Sequence, residues 1–499
     1  MNFCEDCGAP LSPGVRFCEN CGAKIPDSDV TVSAFGKDES LPENLENGVL
    51  YTNLKLLCSA LGMEKVALLT IINNFIAARK TNGINYELFD VSDKISNNSS
   101  LQEHISLVNS AVSQGQRYLF ILGDNEVIPT CVWENMAGDR EHDSDVSSDL
   151  PFATLDIDSP FNGKKFDFDN FLCVGRLPTA VFMSYMNNIT AYKIPASLNS
   201  FAMSAMVWAM ETMDIYAHVR AAAGNVHGPE METSPLFKLG QEKSCIPSNT
   251  NILLFNLHGS NQTEYWYGQE DSNYPEAMSH ESFNHLTEPH FLAVEACYGA
   301  RYEKLPVSQS ILLSALNGKC LSFLGSSRIA FGRPMPEGCC ADVICCEHLV
   351  NLLHGMTAGQ AFNLARKKLM EESGPDEIKT LAEFSLYGDP SLSILQSSAK
   401  SIPNQNKKRV TGLVGSLPDV RSAVRLELVN VDEKIANVAA AFIKTYPWMS
   451  DVKPKFYRNV ASASSDVNAV FSKRNELGPQ IVSVTISKDG NIKKFMETK

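Results

Sequence analysis

Two short apolar runs, each ending at a glycine-containing turn, constrain this chain more than any other feature. Ile252-Leu253-Leu254-Phe255-Asn256-Leu257 stops at His258-Gly259-Ser260, and Phe291-Leu292-Ala293-Val294 stops at Glu295-Ala296-Cys297-Tyr298-Gly299. Runs of this length without polar alternation read as strands buried on both faces, the condition of a parallel sheet covered by helices. In such sheets ligands bind just beyond the carboxyl ends of the strands. The pattern therefore delivers one imidazole, His258, and one thiol, Cys297, to the same rim.

The chemistry this permits is nucleophilic catalysis. A free thiol with a pKa of about 8.5 is mostly protonated at neutral pH, so a neighbouring imidazole is needed to take the proton. Gly259 and Gly299 let backbone approach a substrate closely, and amides after either strand can face an oxyanion. The competing reading is a buried core cysteine and an unrelated His-Gly turn.

The order His-Gly then Ala-Cys-x-Gly, 39 residues apart, resembles the caspase-like cysteine peptidases, most closely the gingipain family. Further stretches agree in order: Leu119 to Pro129 with its Gly123-Asp124 and Ile128-Pro129; Ser148-Asp149 through Gly175-Arg176-Leu177-Pro178; Gly325-Ser326-Ser327-Arg328; and Tyr387-Gly388-Asp389-Pro390-Ser391-Leu392. The resemblance covers about residues 50 to 396. It implies an α/β fold, a caspase-like, mostly parallel sheet flanked by helices, and a peptidase that needs no cofactor for its chemistry. It also implies Cys297 as nucleophile, His258 as proton carrier, and the backbone N–H groups of Gly259 and Cys297 as oxyanion donors.

Ala205 to Glu211 reads as a strand with Glu211 at its end, and by the same resemblance Glu211 is the orienter of His258. A carboxylate there would fix the imidazole tautomer. Asp214 matches, more loosely, the acid that selects a basic side chain, with helix-start capping as the alternative. The loop Gly325 to Pro336 borders the specificity pocket in the family, and Phe331 is the residue expected over a substrate side chain.

At the N-terminus, Cys4-x2-Cys7 and Cys18-x2-Cys21 form two knuckles, each followed by glycine. Four thiolates from two tight turns suit a tetrahedral, structural Zn2+, and a ribbon with so little core needs the metal to fold. Asp139, Glu141, Asp143, Asp145 and Asp149 crowd around His142; this reads as a solvated loop, with a Ca2+ site as the weaker alternative, because no twelve-residue ligand spacing is present. Cys339-Cys340 and Cys345-Cys346 read as core packing at a helix start, since adjacent residues point to different helix faces.

The domain reading is a zinc ribbon at 1–25, an acidic flexible linker at 26–47, a first α/β subdomain at 48–200, a catalytic α/β subdomain at 201–398, a basic linker at 399–410 and a small C-terminal α+β module at 411–499. Within the first subdomain, Lys65 to Ile72 reads as a strand. In the last module a hairpin turns at Asp489-Gly490.

A net charge of −14 argues against nucleic-acid or anionic-membrane binding. No signal peptide and no apolar run near 20 residues is found, and the fourteen cysteines are not spaced as a stapled scaffold, so a cytoplasmic address with reduced thiols is expected. The gingipains resembled here are exported, and the chain departs from that pattern. The expected function is thus a cytoplasmic cysteine endopeptidase cutting protein substrates after Arg or Lys, restrained by a regulatory partner or upstream signal and suited to defence or signalling. A silent caspase-like scaffold and an acyl transferase using the same thioester remain alternatives.

Overall fold

The computed structural model describes residues 45–96, 99–112, 115–224, 226–333, 338–372, 374–395, 423–462 and 464–499, together with two short strands near the start. The chain divides into two units, Met1–Glu43 and Asn44–Lys499. Of the first, Asn2–Phe3 pairs antiparallel with Pro10–Leu11. Cys4, Cys7, Cys18 and Cys21 lie outside the described residues, as does the basic linker 399–410.

The second unit is built on an eleven-stranded sheet. Its spatial order is Val226–His227, Leu198–Ala205, Ile252–Asn256, His290–Glu295, Cys320–Ser326, Phe384–Gly388, Cys173–Leu177, Gln116–Leu122, Glu46–Thr52, Ile84–Asp90, with Glu232–Ser234 also beside Leu198–Ala205. Neighbours are parallel except Cys320–Ser326 against Phe384–Gly388. The mostly parallel sheet is therefore two parallel blocks of opposite direction meeting at one antiparallel seam. The central strands are wholly buried, which is why they read as unbroken apolar runs.

The landmark motifs are the buried polar joints of this sheet. Arg176 makes a two-pronged pair with Asp149, at 2.8 and 2.6 Å. Asp389 accepts from Tyr86 at 2.6 Å and pairs with Arg79 at 2.9 Å. Gly175 has no room for a side chain, because a Cβ there would lie 2.2 Å from the Gly388 carbonyl. Charges with so little access to water are tolerated only with such partners.

Three local expectations change. Lys65 to Ile72 is not a strand: Lys65–Thr81 is one helix, whose buried residues Leu68, Ile72, Phe75 and Arg79 recur every three or four positions. The strand ahead of Glu211 is Leu198–Ala205, so Glu211 lies instead in the first turn of the helix Ala209–Ala221. The first sheet strand also begins at Glu46, inside the stretch read as linker.

The C-terminal module carries an antiparallel sheet ordered Ile492–Thr498, Gly478–Ile486, Val467–Asn475, Lys455–Asn459, Leu426–Leu428. The hairpin between Gly478–Ile486 and Ile492–Thr498 forms as expected. The helix Glu433–Ile443 covers this sheet through Ile435, Ala439 and Ile443, packed with Val467, Phe471, Val482 and Val484. One more strand joins this sheet, and it comes from the peptidase itself: Phe331–Gly332 pairs antiparallel with Ile492–Thr498. The two sheets are thereby linked at the rim of the larger one.

Candidate active site

His258 and Cys297 follow neighbouring parallel strands, with Asn256 level with Glu295. The two turns are in direct backbone contact, since a Cβ on Gly259 would lie 1.8 Å from the Cys297 carbonyl. Just after Cys297, Tyr298 adopts a positive φ of 53°, a strained conformation for a bulky residue, held by a hydrogen bond from its N–H to the Arg328 carbonyl at 2.7 Å. This sharp turn leaves the Cys297 N–H facing the cleft.

What lies in the cleft is the segment Glu497 to Lys499. The Cys297 N–H donates to the Lys499 carbonyl at 3.1 Å, and the Lys499 N–H donates to the Ala330 carbonyl at 3.0 Å. Thr498 and Glu497 are in register with Phe331 and Gly332. The Lys499 side chain then runs into a closed pocket, where its ammonium lies 3.1 Å from Glu211 Oε1, 3.3 Å from Asp342 Oδ1 and 4.3 Å from the centre of the Trp208 ring. A third carboxyl, Glu295, has an oxygen within 4.8 Å of those of Glu211 and Asp342. Gly332 forms a wall that a side chain would block, as its Cβ would sit 2.0 Å from Lys499 Cε.

The charges in this pocket divide unequally. Burial pushes Glu211 well above the usual carboxylate range, with the Asp342 charge adding to the effect and Lys499 opposing it. Burial and Asp342 likewise raise Glu295. For Asp342, burial is outweighed by the Lys499 ammonium and by hydrogen bonds from Glu211, Glu295 and the Arg333 N–H, and its carboxyl falls below the ordinary value. The pocket thus favours the charged form at Asp342, paired with Lys499, and disfavours it at Glu211 and Glu295.

The thiol and imidazole are disengaged from each other. Cys297 Sγ donates to the Ala330 carbonyl at 3.6 Å, and burial pushes the thiol up to about 12. His258 Nε2 is 2.6 Å from Gln269 Oε1, while its buried Nδ1 has no partner among the described residues. Burial lowers the imidazole to about 4. Its ring lies between Trp208, at 4.4 Å between centres, and Tyr274, at 5.2 Å.

Several expected residues fall elsewhere. Glu211 does not orient His258; Gln269 is its hydrogen-bond partner, and Glu211 lines the lysine pocket, because the helix start places it one turn from where a strand end would. Asp214 sits on the exposed face of the same helix. Phe331 contributes backbone, not a cover for a side chain: its ring lies toward Lys379 Nζ, at 5.3 Å, and Trp208 takes the covering position. Of the two expected oxyanion donors, the Cys297 N–H meets the Lys499 carbonyl, whereas Gly259 serves as a close backbone contact. The acid-rich stretch is tied internally: Asp139 and Asp143 to Lys379, Asp145 to Arg328, Asp149 to Arg176 and Glu141 to Lys455. Asp139, Asp143 and Asp149 are buried, so this stretch is not the solvated loop expected of it.

The sequence reading missed Glu295, Asp342, Trp208, Gly332, Gln269 and Lys499. Glu295 carried a signal, an acid closing an apolar strand two residues before the cysteine. The others carried none, since only the fold brings them to one cavity.

A two-block caspase-like sheet with His-Gly and Ala-Cys-x-Gly on adjacent strand ends defines a cysteine peptidase. The chain belongs to peptidase family C25, whose model matches residues 64–395, and a zinc-ribbon domain model matches residues 3–25. Among solved structures, the Arg-specific cysteine proteinase gingipain R aligns over 91% of this chain and 98% of its own, at 10% identity and a TM-score of 0.50. The complex of the pro- and mature domains of RgpB from Porphyromonas gingivalis gives 91% and 99%, again at 10% identity and 0.50. At that identity the likeness is one of fold. Among curated proteins none matches the chain in sequence.

Proposed function

We propose that the chain is an endopeptidase that cuts protein substrates after basic residues, with Cys297 as nucleophile and His258 as its base. The observation that carries this is the placement of Lys499, whose carbonyl lies on the Cys297 N–H while its ammonium lies among Glu211, Glu295 and Asp342. A substrate in the same position presents its scissile carbonyl carbon to Cys297 Sγ. The thiol proton passes to His258, the carbonyl oxygen gains charge against the Cys297 N–H, and collapse expels the amine, which takes the proton back from His258. Water then attacks the thioester, giving its proton to His258, and the thiol is restored. Gln269 holds the imidazole until the cleft opens. The Arg specificity of gingipain R, which shares this fold, agrees with a preference for basic residues.

In this reading Cys4, Cys7, Cys18 and Cys21 hold a structural zinc in the ribbon, four thiolates leaving no open position for substrate. The address is cytoplasmic, supported by ten described cysteines that are all free thiols. A regulatory protein partner, within a bacterial defence or signalling pathway, fits a peptidase that must be restrained there. The test is cleavage of fluorogenic peptides ending in Lys, Arg, Asp or Leu by the full chain and by residues 1–496, each with and without Cys297→Ala. Cleavage after Lys or Arg that vanishes in Cys297→Ala is the expected result; cleavage that survives it, or none in either chain, would sink the assignment.

A further inference from the structure

We propose that the strand Ile492–Thr498 together with Lys499 is an internal inhibitor held in the cleft as a substrate would be, and that the three-carboxyl pocket is built for a lysine side chain. The meaning of this occupancy as inhibition rests on the peptidase reading above; the occupancy itself does not.

Three independent elements of substrate recognition are met at once. The backbone adds to an enzyme edge, with Thr498 and Glu497 paired to Phe331 and Gly332, which is how extended peptides dock on exposed strands. The Lys499 carbonyl takes the Cys297 N–H. The side chain fills a pocket in which it is 1% exposed, between Trp208 and the Gly332 wall. Carboxyls converging on one point suit a compact ammonium, whereas a guanidinium is best met by a coplanar two-pronged acceptor. Asp342 is fixed by the N–H groups of Arg333 and Cys339 at 2.8 and 2.9 Å, so the pocket is braced from outside.

The inhibitor is anchored by contacts well outside the pocket. Tyr457 donates to Glu141 at 3.0 Å, Arg140 to the Leu426 carbonyl at 2.9 Å, Ser260 to the Leu477 carbonyl at 2.8 Å, and Lys494 pairs with Glu377. Trp208 donates its indole N–H to Glu497, just ahead of the pocket. A tethered strand competes at an effective concentration far above that of a free peptide. Whatever lifts the module from these anchors opens the cleft.

The experiment compares the full chain, Lys499→Ala and residues 1–496. Two readouts are taken: alkylation of Cys297 by iodoacetamide, followed on the peptide that carries it by mass spectrometry, and cleavage of paired peptides ending in Lys or Arg. Both variants are expected to alkylate Cys297, and to cut lysyl peptides, at least about tenfold faster than the full chain. The peptide acetyl-Phe-Met-Glu-Thr-Lys should slow both reactions in residues 1–496, and the same peptide ending in Arg should do so less. Equal alkylation across the three proteins overturns the occupancy. Full-chain cleavage as fast as either variant overturns the inhibition, and faster cleavage after Arg overturns the lysine assignment. Faster alkylation without any cleavage supports the occupancy and removes the peptidase reading instead. Lys499→Ala keeps the whole strand, so a folding defect of the shorter chain leaves the test intact.

Discussion

Two buried lysines flank the Cys297 loop, each among three carboxyls, and they differ in what carries them. Lys379 lies on the helix Pro375–Glu383, inside the peptidase, and meets Asp139 at 2.6 Å, Asp143 at 3.2 Å, Glu383 at 3.3 Å and the Ile329 carbonyl at 2.6 Å. Lys499 meets Glu211, Asp342 and Glu295 from the end of a strand belonging to the other module. In both clusters burial raises carboxyl pKa values, with Glu383 reaching about 8. One cation is bound permanently by its own domain; the other can leave along the path by which a substrate enters. The same electrostatic motif thus serves as a joint in one place and as a recognition site in the other.

That contrast predicts unequal costs. Removing one partner of a buried ion cluster that cannot reorganise costs about 3–5 kcal/mol, and Lys379→Met should lose that much in urea unfolding. Lys499→Met should lose clearly less, because its strand can detach and let water reach the acids. Equal losses would break the comparison.

Catalysis should divide the two clusters the other way. In the chain of residues 1–496, Asp342→Asn should lower kcat/KM for lysyl peptides by about 30-fold or more, the scale of removing one member of a buried charge pair, with little change for neutral probes of thiol reactivity. Glu383→Gln should act on the melting temperature first. A lysyl preference untouched by Asp342→Asn would place specificity elsewhere.

Acid tests both regions together. His258 is lowered to about 4 by burial, as is His290, and His348 to about 3, so the unfolded chain binds more protons than the native one below the ordinary histidine value of 6.5. The contribution of these rings to stability is then full above about pH 6.5 and is lost as pH drops toward 4, by up to about 1.4 kcal/mol per pH unit for each such imidazole. Because the raised carboxyls Glu211, Glu295 and Glu383 gain stability over the same range, the imidazoles are read one by one: ring signals of His290 and His348 followed by NMR from pH 7.5 to 4.5 should not shift near 6.5 in the folded chain, and a shift there would contradict the burial of these rings. The smallest effect belongs to Asp214, exposed on its helix: Asp214→Ala should leave kcat/KM unchanged and stability within about 0.5 kcal/mol.

The wrong expectations have one physical source. An acid near the end of a run can be placed by sequence within a few residues, but its direction depends on whether those residues form a strand end or a helix start. Leu198–Ala205 ended before Met206, a short turn intervened, and the helix that followed put Glu211 into the pocket and Asp214 outside. Phe331 was near the right place for the wrong reason, since its backbone supplies the contact while its ring faces Lys379.

The sequence alone determined the sheet, the two strand ends that carry His258 and Cys297 and the order of its landmarks, because full burial and tight turns leave short-range marks in apolar runs and glycines. Only the tertiary structure decided the pocket. Glu211, Glu295, Asp342 and Lys499 lie far apart along the chain, and charges that meet only when buried leave no periodic pattern to read in advance.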